Sequence, residues 1–219
     1  MLQRGDLIAL HEPFCNLTCF GETDGPGRTF ESAVSLLAWL RDDTHDISVF
    51  FKDTTDFRQP EVLADRRFLA GARHAFLIRR PEEVAASYCA LYPEMSINAI
   101  GLEAMYELYA AVRDTGGNPV VIDSDDLAAR PETTMAAYCA AVGLPFIPEA
   151  LSWEPGDQPE WRRSARWHTD VSASSGFSGQ GDRVYARTVE NDAELARFAA
   201  HHRPFYEKLH AERLEIPAG

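Results

Sequence analysis

Four short apolar runs, each followed by a longer stretch with helical spacing, set the strongest limit on what this chain can fold into. Asp6–His11 (DLIALH), Ile47–Lys52 (ISVFFK), His74–Arg79 (HAFLIR) and Pro119–Asp123 (PVVID) read as strands. HAFLIR is continuous and apolar, as in a strand covered on both faces. Between and after the strands, helices are expected over 28–41, 60–71, 81–91, 97–115, 131–142 and 191–212. Thr29 lies near the cap of the first, and Val34, Leu37 and Leu40 or Trp39 form its apolar stripe. Pro60, Pro81 and Pro131 open three of the others, and Gly71, Gly116-Gly117 and Gly143 close the helices over 60–71, 97–115 and 131–142. Such alternation implies an α/β fold: a parallel sheet with right-handed crossovers and helices on both faces. Ligands of such sheets bind beyond the carboxyl ends of the strands. The polar residues that follow strand ends here are His11-Glu12, Lys52-Asp53, Arg79-Arg80 and Asp123–Asp126.

No repeat or linker divides the 219 residues, so a single domain over 1–219 is expected, with a loop-rich lid or substrate region over 152–190 and a final helix over 191–212. Hydrophobic residues make up 45% and charged residues 25%, an ordinary globular balance. The net charge of −13 argues against nucleic acid as a partner, since such binding needs a basic face. No apolar run approaches the roughly 20 residues of a membrane span. The first residues carry Arg4 and Asp6 without an apolar core, so no signal peptide is read and a cytoplasmic location is expected.

Reduced thiols follow from that location. Cys89 and Cys139 lie in Ala-rich helical patterns and read as buried small hydrophobes. His11, Cys15 and Cys19 share a four-residue spacing, but Pro13 interrupts the helix that would align them and no fourth ligand is evident. Asp123, Asp125 and Asp126 read as caps and partners of basic groups rather than metal ligands. No metal is expected.

The segment Phe76–Tyr88 (FLIRRPEEVAASY) carries the sharpest chemistry. A strand delivers Arg79, Pro81 opens a helix, and Ser87 lies on it. A guanidinium beside free helix N–H groups suits a phosphate. Read from the residues alone, a surface Arg pair with a tolerated Ser fits equally. Trp153, Trp161, Trp167 and His168, with Arg162, Arg163 and Arg166, read either as a lid over a ligand or as core plugs beneath a solvated loop. Ser174–Gly181 (SSGFSGQG) has the composition of a flexible flap, and Gly21–Arg28 (GETDGPGR) reads as a mobile turn.

The spacing Arg79-x-Pro81-x5-Ser87 resembles the 3′-phosphate motif of sulfotransferases that use adenosine 3′-phosphate 5′-phosphosulfate (PAPS). LHEPF (Leu10–Phe14), FFKD (Phe50–Asp53), PVVIDSDDL (Pro119–Leu127) and the late segment Trp167–Phe177 resemble a bacterial branch of that family in order and spacing. The resemblance implies a P-loop-type parallel sheet flanked by helices on both faces. It implies transfer of a sulfuryl group from PAPS to a hydroxyl or amine of a small molecule, such as an alcohol, lipid, carbohydrate or natural product. Arg79 and Ser87 would then bind the donor's 3′-phosphate. His11 and Glu12 are the candidate bases, Glu12 preferred by the resemblance, and Lys52 would neutralise sulfuryl or phosphate charge unless it pairs with Asp53 or Asp56. The family's first strand and its phosphosulfate loop have no match here, so the central strand is expected to be missing from this chain. Uncovered strand edges would then favour a homodimer. The competing expectation is a non-catalytic homologue acting as a binding or partner protein.

Overall fold

A computed structural model describes residues 1–42, 46–177 and 184–216. Strand β1 (Ile8–His11) pairs in parallel with β4 (Val49–Lys52), and β5 (Ala75–Ile78) pairs in parallel with β6 (Val120–Asp123). Among the described residues the two pairs share no ladder, so the fold is mixed α/β with short parallel sheets rather than one continuous sheet.

The helices follow the proline and glycine punctuation. α5 (Pro81–Leu91) and α8 (Pro131–Val142) have proline at their first turn, and Gly143 ends α8 with φ 72°. α6 (Leu102–Asp114) is shorter than the expected 97–115, because Ile97–Ile100 form a 3₁₀ turn and Gly101 breaks direction with φ 75°. α10 (Ala193–Ala211) is capped by Asp192 and packs across α5 and α6. α7 (Ser124–Ala129) was not separated from α8 by the sequence pattern; the side chain of Asp123 caps it, accepting from Asp125 N–H at 2.7 Å.

Three expectations are corrected. Residues 28–30 are not helical: β2 (Thr23–Gly25) and β3 (Arg28–Phe30) form an antiparallel hairpin closed by Pro26-Gly27, so the Gly-rich segment read as a mobile turn is an ordered one. Gly25 is required there, since a Cβ would meet the Phe30 ring at 2.7 Å. α2 (Ala33–Leu40) starts after the hairpin, with Ser32 rather than Thr29 as its cap; Val34 points outward at 67% exposure and Leu36 and Leu37 fill the core instead. The helix expected over 60–71 is broken into α3 (Pro60–Ala64) and α4 (Arg66–Gly71). Asp65 turns out of helix at ψ 80° to cap α4 through Phe68 N–H, and Arg41 pairs with it.

The third correction concerns β5. Phe76 and Ile78 enter the main core, but Leu77 on the opposite face is 53% exposed, so only one face is covered. β6 is buried on both: Val121 faces the main core, while Val120 and Ile122 join a second cluster with Tyr138, Cys139 and Val142 of α8. No helix of the described residues is long and apolar enough to cross a membrane.

Candidate functional site

The β1–β4 register places His11 opposite Lys52, and the next residue, Glu12, sits at the tip of the pair. Glu12 N–H donates to the Lys52 carbonyl at 2.6 Å, and then the chain turns sharply into α1 (Pro13–Phe20). The turn holds Glu12 at φ 49°, ψ 47°, the left-handed region; among the described non-glycine residues it alone has a positive φ. Such a conformation costs on the order of 1–3 kcal/mol and concentrates at functional sites. Pro13, expected to interrupt a helix, is instead its first residue.

This backbone aims the Glu12 side chain at its neighbours. Glu12 is 8% exposed; Lys52 Nζ donates to its Oε1, and His11 Nε2 lies 3.6 Å from its Oε2. Lys52 therefore pairs with Glu12 rather than with Asp53 or Asp56. Its side chain is 50% exposed, so the pair has one foot in solvent. Burial pushes the imidazolium of His11 down to about 4, with Glu12 pulling the other way and Lys52 and His168 adding to the fall. His11 is thus neutral at pH 7.

The 3₁₀ segment Pro159–Trp167 crosses this tip. Ser164 Oγ lies 3.2 Å from His11 Nε2 and 3.1 Å from His168 Nε2, and the two imidazole nitrogens are 3.1 Å apart. Trp161 stacks on His168 at 4.8 Å. Burial lowers the His168 imidazolium as well. Sequence reading singled out His168 only as part of a lid, and did not name Ser164 at all. The pairing of residues 157 apart has no local signal; an imidazole beside the lid tryptophans was the one hint.

Asp53 has a different task from the one its place beside Lys52 suggests. It accepts from Phe14 N–H at 2.6 Å, Cys15 N–H at 3.1 Å and Thr54 N–H at 2.9 Å, capping α1 from another strand because left-handed Glu12 cannot. Burial pushes its carboxyl up to about 6 against the pull of those donors. Between roughly pH 4 and 6 the folded state therefore holds a proton that the unfolded chain releases, so this residue's contribution to stability falls as pH rises through that window. Asp53→Asn is expected to remove that pH dependence: one N–H loses its acceptor, at about 1 kcal/mol, but the neutral amide escapes the desolvation of the carboxylate, so the variant gains stability relative to the parent from pH 4.5 to pH 7. Urea titrations at pH 4.5 and 7 check it.

Arg79 and Ser87 belong to the other strand pair. Arg79 Nε donates to Glu83 at 2.9 Å, and among the described residues its terminal nitrogens make no hydrogen bond. Arg80 pairs with Glu83 and approaches Asp125 at 3.4 Å. Among the described residues no side chain caps the α5 N-terminus. Ser87 is half-buried two turns in, and its neighbour Tyr88 meets Trp167 with ring centroids 4.8 Å apart. Trp167 and His168 are consecutive, so one short segment touches both the α5 side and the β1 tip. Arg166 lies over Tyr92 and Trp167, and Arg163 pairs with Glu22. Asp126 pairs with Arg130 at 2.7 Å, as a partner of a basic group. Cys15 and Cys19 have Sγ atoms 3.9 Å apart, both as free thiols, while His11 turns to His168 instead of toward them. The last part of the expected flap, 178–181, lies outside the described residues.

Comparison with known proteins places these features in context. An Arabidopsis thaliana protein, branched-chain-amino-acid aminotransferase-like protein 1, is 32% identical over 123 residues, covering 55% of this chain but 21% of its own length. This chain therefore spans a minor part of that relative. A solved sulfotransferase domain from the curacin biosynthetic pathway aligns over 80% of this chain and 65% of its own, with 14% identity and a TM-score of 0.34. A family model described as a sulfotransferase domain matches residues 34–213. With that match running over most of its length, from α2 to the end of α10, the chain belongs to the sulfotransferase domain family.

Proposed function

We propose that the protein transfers a sulfuryl group from PAPS to a hydroxyl or amine of a small-molecule acceptor. The observation that carries this reading is the Trp167-His168 step, which touches the Arg79/Ser87 helix on one side and the His11–Glu12–Lys52 tip on the other. In the reaction the acceptor oxygen or nitrogen bonds to sulfur as the bond from sulfur to the phosphate oxygen breaks. The acceptor proton goes to Glu12. His11, whose Nε2 lies against Ser164, His168 and the Glu12 carboxylate, acts as a positioning group. Lys52, half-exposed beside the carboxylate, faces the charge that develops on the transferred group. Arg79 offers its terminal nitrogens, and α5 its uncapped N–H groups, to the ribose 3′-phosphate, with Ser87 adding a neutral hydrogen bond.

The donor's 5′ side needs more than these residues. Among the described residues the β1–β4 and β5–β6 pairs share no ladder, so an added strand between them would join them into a P-loop-type sheet and bring a phosphosulfate loop. In-frame coding sequence before Met1 for a Pro-Arg/Lys-Ser/Thr loop supports this; its lack overturns it. A second reading, a relative that binds without turnover, is favoured by the hairpin that occupies the chain's Gly-rich segment in place of a phosphate loop.

Isothermal titration with adenosine 3′,5′-bisphosphate tests the donor site. Arg79→Ala is expected to weaken binding on the order of 100-fold and Ser87→Ala about 10-fold, in line with a charged and a neutral hydrogen bond. Unchanged affinity in Arg79→Ala, with the fold intact by circular dichroism, removes Arg79 from the site. Absent binding by the folded wild type sinks the donor assignment.

A further inference from the structure

The tip of β1 gathers three atoms with the chemistry of metal ligands. His11 Nε2, His168 Nε2 and a Glu12 carboxylate oxygen all lie within 4.8 Å of one another. The two nitrogens face each other at 3.1 Å, and His11 Nε2 stands 3.6 Å from Glu12 Oε2. Around a tetrahedral zinc with ligands at about 2.0–2.1 Å, neighbouring ligand atoms stand about 3.3–3.4 Å apart. We infer that His11, His168 and Glu12 form a binding site for a divalent first-row transition ion such as Zn²⁺, whose occupancy would take Glu12 Oε2 and so compete with its use as the base of sulfuryl transfer.

The surroundings fit such a site. Glu12 divides its oxygens: Oε1 takes the Lys52 ammonium, and Oε2 turns toward the imidazoles. A ligating carboxylate is ordinarily held by a hydrogen bond to its other oxygen, which fixes its orientation. Ser164 Oγ completes a triangle with the two nitrogens, 3.2 and 3.1 Å from them, where a hydroxyl or a water would close a fourth position. Trp161 walls the site by stacking on His168. Imidazole nitrogens with one carboxylate oxygen favour zinc, cobalt or iron(II) over magnesium or calcium, which take oxygen ligands. Three protein ligands with a fourth position open is also the arrangement of sites that bind a further molecule on the metal.

Cobalt(II) makes the test visible. The purified chain, stripped with chelator, is titrated with CoCl₂ and separately with ZnSO₄ by calorimetry. One equivalent is expected to bind, with a visible cobalt absorption from a four-coordinate nitrogen and oxygen set. His168→Ala and Glu12→Gln are each expected to weaken binding about 100-fold or more, beyond the effect of losing an outer partner. A Cys15→Ser, Cys19→Ser double variant should bind as the parent does. Loss confined to the cysteine variant, or a parent that takes up no ion, overturns the site. Equal binding by parent, His168→Ala and Glu12→Gln overturns it too, as adventitious uptake by surface acids. The readout uses no sulfuryl donor, so its failure and a failure of the bisphosphate titration are separately visible.

Discussion

Glu12→Gln should cut the turnover of sulfuryl transfer by about 10²–10⁴-fold, the usual share of a general base, with little loss of stability. The substitution keeps the size and shape of the side chain and removes only its ability to take a proton and to hold Lys52 as an ion pair. That pair is half in solvent, so it contributes little to folding. The strained backbone at residue 12 is carried equally by either side chain, so the turn into α1 persists. His11→Ala separates the two candidate bases: as a positioning group His11 should change turnover less than Glu12 does. Radiolabelled PAPS with a panel of alcohol and amine acceptors provides the assay. A Glu12→Gln rate within threefold of the parent would mean that another group takes the proton, and a larger loss in His11→Ala would reverse the two roles.

The legibility of this site in the sequence follows from what kind of signal each residue leaves. His11, Glu12 and Lys52 were findable because strand ends are local features, and the parallel register then brings two strand ends together with no further information. α5 and α8 were read to the residue because a proline opens each and Gly143 closes α8, marks that act through backbone geometry alone. Ser164 and His168 were not placed, since their meeting with His11 depends on how an aperiodic segment crosses the sheet. The hairpin at Thr23–Phe30 was missed for a related reason. Pro26-Gly27 signals a turn, but three-residue strands are too short to show alternation, and the apolar residues beyond them extended the helical pattern backward. The division at Asp65 had a visible cause in a capping residue set inside an apparent helix. The covering of β5 was misjudged because an apolar run predicts two buried faces only when another layer is present to bury them.

His202→Ala should be the most damaging substitution outside the candidate site, lowering stability by about 3–5 kcal/mol. His202 lies on α10 at 1% exposure and joins the 97–100 turn to the start of α6. Its Nε2 bonds the Ile97 carbonyl at 2.7 Å, and its Nδ1 accepts from Glu103 N–H at 3.2 Å, which fixes the neutral tautomer with the proton on Nε2. Glu103 is the second residue of α6, and Gly101, in the left-handed region, gives that helix no side-chain cap of its own. An imidazole from a helix about a hundred residues away therefore does what an Asn or Ser usually does locally. Truncation leaves a buried carbonyl and a buried N–H unpaired and opens a cavity between α6 and α10. The same geometry sets the response to acid. Burial holds the folded His202 below its usual titration range, so the unfolded chain gains a proton first as pH falls from about 6.5. The unfolded state then binds more protons, and stability rises with pH across that window. His11, His74 and His168 shift in the same direction, while Asp53 opposes them. Replacing His202 should flatten the slope by at most about 1.4 kcal/mol per pH unit, one proton's worth. Chemical denaturation from pH 4.5 to 8 reads both numbers. A loss below about 1 kcal/mol, smaller than a single unpaired buried group, would show that water or a shifted side chain replaces the imidazole and that α6 does not depend on it.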